Sequence, residues 1–184
     1  MLIKRYFIPA VAVEEKGNDT AVTLTTTLVL FGVMATLNYI GIHRVWYWNV
    51  WWYDIPMHFT GGAWSALLFF YVVEERLGVL SKIYRLEASR IKNIFTTFLL
   101  ALSFVALIGV LWEFAEYLFD VFIAQPYALR MSQQGLADTV GDLFNDLAGG
   151  AALAWVYYMR KLRRRMAAPA AEPASAPDEF LRES

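Results

Sequence analysis

An all-α, polytopic membrane protein with four transmembrane helices and both termini cytoplasmic is the fold this sequence predicts. Three observations predict it: an apolar composition, four segments of spanning length, and an uneven distribution of lysine and arginine. Of 184 residues, 58% are hydrophobic, 16% aromatic and only 18% charged, with a mean hydropathy of +0.41. A soluble domain of this size needs more polar surface. The net charge of −1 sets up no field that would draw nucleic acid. There is no cysteine, which excludes disulfides, thiolate metal sites and cysteine nucleophiles. No cleavable signal pattern is expected either, because the apolar run after Lys4 and Arg5 is short and broken by Pro9.

A helix needs about 20 mostly apolar residues to cross a bilayer core of about 30 Å. Residues 21–42 carry no ionisable side chain, and residues 55–73 carry only His58. Residues 93–112 form a third uncharged run, which continues at helical spacing to about 119. The fourth segment is different. Its uncharged stretch covers only residues 147–159, about 20 Å of helix at 1.5 Å per residue. A full span must start near Asp138 and run to about 160, which carries Asp142 and Asp146 into the membrane. The predicted organisation is therefore an N-terminal cytoplasmic arm at 1–20 and a transmembrane domain at 21–166. A disordered, Ala/Pro/Glu/Ser-rich tail follows at 167–184.

Orientation follows from the flanking cations. Lys4, Arg5 and Lys16 lie in the arm, and Arg76, Lys82, Arg85, Arg90 and Lys92 join spans two and three. Arg160, Lys161, Arg163, Arg164 and Arg165 follow span four. The other two loops carry only Arg44 and Arg130, and so are expected outside. Trp46, Tyr47, Trp48, Trp51, Trp52 and Tyr53 would mark the outer interface; Trp155, Tyr157 and Tyr158 would mark the inner one. The partly apolar loop at 121–137 is long enough to fold back over the outer surface.

At 100° per residue, Asp54, His58, Gly61 and Ser65 share one face of span two. Gly109, Glu113, Glu116 and Asp120 share one face of span three, and Asp138, Asp142 and Asp146 one face of span four. Leu143, Phe144 and Leu147 are expected on the lipid side. The alternating topology puts all three polar faces in the outer leaflet, with Asn38 of span one beside them. Carboxylates so placed need a compensating charge or shared protons. Only His58, with Arg130 or Arg44 from the loops, offers one. The donor types suit a divalent cation of borderline or hard character. The expected inner set is His58, Glu113, Glu116, Asp142 and Asp146, with Asn38, Asp54, Asp120 and Asp138 in support. Asp54, one turn before His58, fits a carboxylate that orients a metal-bound imidazole.

Plainer readings compete. Asp54, Glu116, Asp120 and Asp138, taken singly, fit interfacial carboxylates in water, and His58 alone fits a locally satisfied histidine. The glycines at 61, 62, 109, 141, 149 and 150 fit close contacts between helices. Some chemistries are excluded: there is no H-E-x-x-H, and two histidines are too few for a histidine-rich membrane oxygenase. The Asp138, Asp142, Asp146 stripe lacks the D-G-x-x-A-R element of the CDP-alcohol phosphatidyltransferases.

Three motifs recur in order: Asp54-Ile55-Pro56-Met57-His58-Phe59-x-Gly61-Gly62, Trp112-Glu113-x-x-Glu116-x-x-x-Asp120, and Asp138-Thr139-x-x-Asp142-Leu143-x-x-Asp146-x-x-Gly149. Together, over roughly residues 21–160, they resemble the YjdF-type family of bacterial inner-membrane proteins. More distantly they are similar to VanZ-like proteins, whose late D-x-x-x-N-x-x-G has asparagine where this chain has Asp146. The resemblance implies a multi-pass inner-membrane protein with a polar outer-leaflet site and no assigned reaction. Two functions are then expected to compete. One is a divalent-cation-dependent enzyme acting on a lipid-linked or amphiphilic substrate. The other is a cation- or proton-coupled binding or transport module, which with four helices would need a homo-oligomer. A structural accessory protein is a third.

Overall fold

The computed structural model describes residues 10–80 and 90–167. The expected disordered tail (apart from Ala167) and the cations Lys4, Arg5, Lys82 and Arg85 lie outside the described residues. Everything described is helix or short connection: α1 (Ala10–His43), α2 (Trp46–Asn49), α3 (Asp54–Phe69), α4 (Arg90–Phe119) and α5 (Leu136–Ala167). α3 continues into a π-helical segment at Phe70–Arg76 and α4 into another at Asp120–Ala124. By internal contacts the chain divides into Met1–Ala154 and Trp155–Ser184. The second part holds the described end of α5, where Trp155 and Val156 are exposed.

The four long helices match the four expected segments, with ends that differ. α1 begins eleven residues before the expected span, and α5 runs on past residue 160 into the basic flank. Two helical stretches are long and apolar enough to cross a membrane by length and composition, Thr23–His43 and Asn93–Ala124. α3 is short of spanning length, at 16 residues before its π segment, and α5 carries acids and a basic end that lower its hydropathy.

Both apolar helices turn large side chains outward: Leu28, Val29 and Phe31 of α1, and Leu107, Leu111, Phe114 and Leu118 of α4, are half exposed or more. A water-soluble surface does not carry apolar patches on that scale. Hydroxyls on α1, α3 and α4 are satisfied within their own helices. Thr27, Thr36, Thr60, Thr97 and Ser103 each donate to the carbonyl four residues back, at 2.6–2.8 Å. That is how hydroxyls are accommodated where no water is available.

Local chemistry fixes the helix starts. Asp54 lies in the first turn of α3, where a carboxylate complements the helix dipole. Pro56 follows within that turn, where its missing N–H costs no intrahelical bond. α5 is entered through Gly135 at φ +122°, a backbone region that side chains with a Cβ seldom adopt. Asp138 in its first turn accepts the Gln134 N–H at 3.0 Å.

α3 is the central helix, packed against α1 and α4. Trp64 Nε1 donates to the Thr27 carbonyl (3.1 Å) and the Tyr53 hydroxyl to the Leu37 carbonyl (2.8 Å), tying α3 and its approach to α1. α5 meets α3 at closer range. A Cβ on Gly62 would collide with the Asp146 carbonyl, and one on Gly149 with the Phe59 carbonyl. These two glycines thus form a reciprocal backbone contact of the small-residue type found between membrane helices. The expectation of a close contact fails at Gly141, whose Cβ position faces open space. Leu143 also departs from its expected lipid-facing position. It is partly buried and reaches the Cβ position of Gly109, while Phe144 is 69% exposed.

Candidate functional site: a histidine among aspartates beside an apolar cavity

His58 sits one turn into α3 and is 7% exposed. Its Nε2 lies 3.5 Å from Asp54 Oδ1 and 3.7 Å from Asp142 Oδ1, and its Nδ1 lies 3.4 Å from Asp146 Oδ1. Asp54 reaches it by the i, i+4 relation within α3. Asp142 and Asp146 reach it because the Gly62/Gly149 contact brings α5 against α3. Both are buried, at 5% and 6% exposure. Burying such charges is costly unless each is paired or neutralised, so this grouping is the strongest chemical feature of the chain.

Asp54, His58 and Asp142 each place one donor atom within 4.8 Å of the others. A tetrahedral ion with bonds of about 2.0–2.2 Å holds its ligand atoms a little over 3 Å apart. The two separations from Nε2, 3.5 and 3.7 Å, are therefore close to those of a ligand set. On the opposite ring nitrogen, Asp146 stands where a carboxylate fixes the orientation of a metal-binding imidazole. The spacing in the sequence assigned that orienting place to Asp54 and a ligand place to Asp146; the geometry exchanges them. Glu113 and Glu116, expected as ligands, fall outside the three-donor group.

The remaining site residues divide. Glu116 accepts a hydrogen bond from Trp112 Nε1 at 2.9 Å. Asn38 accepts one from the Tyr47 hydroxyl at 2.7 Å. Burial first, and then the neighbouring charges of Asp54 and Glu116 and the Tyr53 phenol, push the Tyr47 phenol above its ordinary pKa, so it remains a donor. Glu113 is 7% exposed. Its Oε2 accepts the Gln133 side-chain amide at 2.7 Å, and its Oε1 is buried with no hydrogen-bond partner among the described residues.

Asp120 leaves the cluster. It is 2% exposed, and its two oxygens accept the backbone N–H groups of Ser132 (2.7 Å) and Gln133 (2.9 Å). It anchors the loop at 125–135. That loop folds back over this end of the helices: Trp48 Nε1 donates to the Met131 carbonyl, and Gln134 Nε2 to the Tyr47 carbonyl. Arg130 stacks over the Trp48 ring at 5.6 Å, and Arg44 is exposed. Among the described residues the basic side chain beside Asp54, Asp142 and Asp146 is His58. Asp120→Asn keeps the volume but removes one acceptor. It is expected to cost about 1–3 kcal/mol and to speed amide exchange at Ser132 and Gln133 without removing the His58 cluster. Unchanged exchange there would show that the anchor is dispensable.

Beside His58 lies a cavity of about 290 Å³ between α1, α3 and α4. Its walls are apolar, with Phe31, Met34, Met57, Trp64 and Ile108, and Asp54, His58, Glu116 and Asp146 border it. Phe31 and Trp112, at its edge, are 53% and 48% exposed. Sequence reasoning did not find Gln133, Tyr47 or the Trp64 wall. The first lies in a loop without periodicity, Tyr47 reads as an interface residue, and Trp64 carries no polar signal of its own.

The chain belongs to the family described as predicted membrane protein (DUF2238), whose profile matches residues 5–163. No curated protein and no solved structure matches it.

Proposed function

From membership in a membrane-protein family and the grouping of Asp54, His58 and Asp142, we propose a four-span inner-membrane protein that binds a divalent cation at those residues and acts on an amphiphilic or lipid-linked substrate. The single observation that carries this reading is the pair of carboxylate oxygens at 3.5 and 3.7 Å from one imidazole nitrogen, with Asp146 on the other nitrogen. In this reading α3 with its π segment is the second span and α5 the fourth, oriented by the positive-inside count. The site then belongs to the outer leaflet, and the YjdF-type resemblance fits the same placement. A bound ion would supply an acidified water and a polarised substrate oxygen. Glu113, with one oxygen held by Gln133, would be the spare carboxylate placed to accept a proton.

The four-span arrangement is tested by labelling. No native cysteine exists, so Tyr127→Cys and Leu77→Cys, both at exposed positions, are expected to react with an impermeant maleimide from opposite sides of the membrane. Labelling from one side would undo the arrangement. The cation is tested by metal analysis of purified protein. Absence of a stoichiometric divalent ion across several purification conditions would remove it. Proton-coupled uptake into liposomes, lost in His58→Ala, would move the reading to transport.

A further inference from the structure

The cavity beside His58 has a chemical character of its own. Its walls are contributed by apolar side chains from three helices, and its edge residues Phe31 and Trp112 are exposed on the outside of the bundle. At its polar end stand Asp54, Glu116 and Asp146. Among the described residues the lining holds no lysine or arginine, and its basic group is His58. Arg130, in the loop at 125–135, lies over the Trp48 ring.

An anionic head, such as a phosphate monoester, would meet carboxylates without a guanidinium or ammonium to receive it. A neutral alcohol would leave those carboxylates uncompensated. An ammonium head gains from the carboxylates and from the aromatic side chains of Tyr47 and Trp112, which also line the cavity, Trp112 beside Glu116. Even with a divalent ion at Asp54, His58 and Asp142, four carboxylates including Glu116 and Asp146 leave the site acidic. We propose that this cavity binds an amphiphile with a cationic amine head and an apolar stem, the head toward Glu116 and Asp146 and the stem along Met34, Trp64 and Ile108. This names the substrate class of the site proposed above, and the head-group argument also holds with no ion present.

Titration calorimetry on the full chain in phosphatidylcholine nanodiscs, with empty discs subtracted, tests it. Decylamine, decyl phosphate and decanol are the probes. Decylamine is expected to bind saturably, and the other two at least about tenfold more weakly, corresponding to about 1.4 kcal/mol. Glu116→Gln is expected to weaken decylamine about tenfold and leave decanol unchanged. Met34→Trp, which fills the apolar part, is expected to weaken all three. Equal binding of decanol and decylamine would overturn the head-group assignment, as would tighter binding of decyl phosphate. No saturable binding of any probe by monodisperse protein would overturn the cavity as a ligand site. Repeating the decylamine titration with EDTA separates this proposal from the cation reading: binding that persists while no ion is found leaves the amine site standing without the metal.

Discussion

His58→Ala is expected to abolish stoichiometric divalent-cation binding in purified protein, while the variant still folds into monodisperse particles. The ring supplies the one nitrogen donor of the group and the centre on which Asp54, Asp142 and Asp146 converge. Without it, Asp54 and Asp142 lack the third donor of the set. Asp142→Asn removes a charged ligand at nearly constant volume and is expected to be almost as severe. Asp146→Asn acts through the ring's orientation and is expected to cost about 10–100-fold in affinity, the usual range for such partners. Glu113→Gln, outside the three-donor group, is expected to change affinity least. Measured by Mn2+ or Zn2+ titration, this order distinguishes an ordered site from a diffuse acidic patch. Equal, modest losses for every acid would support the patch.

The second large effect is structural. Gly62→Leu or Gly149→Leu is expected to prevent α5 from docking on α3, because the added carbon meets a backbone carbonyl that no rotamer change can move. Overpacking a deformable core costs about 1–3 kcal/mol, and a backbone obstruction exceeds that. Thermal unfolding in detergent would register both variants as strongly destabilised or unfolded. Gly141→Leu is the control, since its Cβ position meets nothing within 4 Å and leucine favours helix over glycine. A Gly141 variant as damaged as the Gly62 variant would contradict the close crossing.

How much of this was legible in the sequence depends on distance along the chain. Helix length placed Asp142 and Asp146 on the fourth expected span, and both are buried on α5. The i, i+4 rule joined Asp54 to His58. Which nitrogen faces which acid was not legible, because it depends on the crossing of α3 and α5, and that is set by two glycines far apart in the chain, Gly62 and Gly149. Asp120 was misassigned for a local reason. A rotation of 100° per residue holds for α-helix, and α4 gives way to a π segment at Asp120 itself. Its carboxylate serves loop backbone instead. Gln133 carried no periodic signal; its approach to Glu113 follows from the Asp120 anchor, which only the folded loop reveals.

The central claim is that one imidazole and two aspartates share a divalent ion. Pulsed electron paramagnetic resonance on Mn2+-loaded protein tests it most directly, through the nitrogen coupling of a histidine bound to the metal. The expected result is one bound Mn2+ per chain with a single nitrogen coupling, absent in His58→Ala. Bound Mn2+ with no nitrogen coupling in the wild type, or no bound Mn2+ at all, would contradict it.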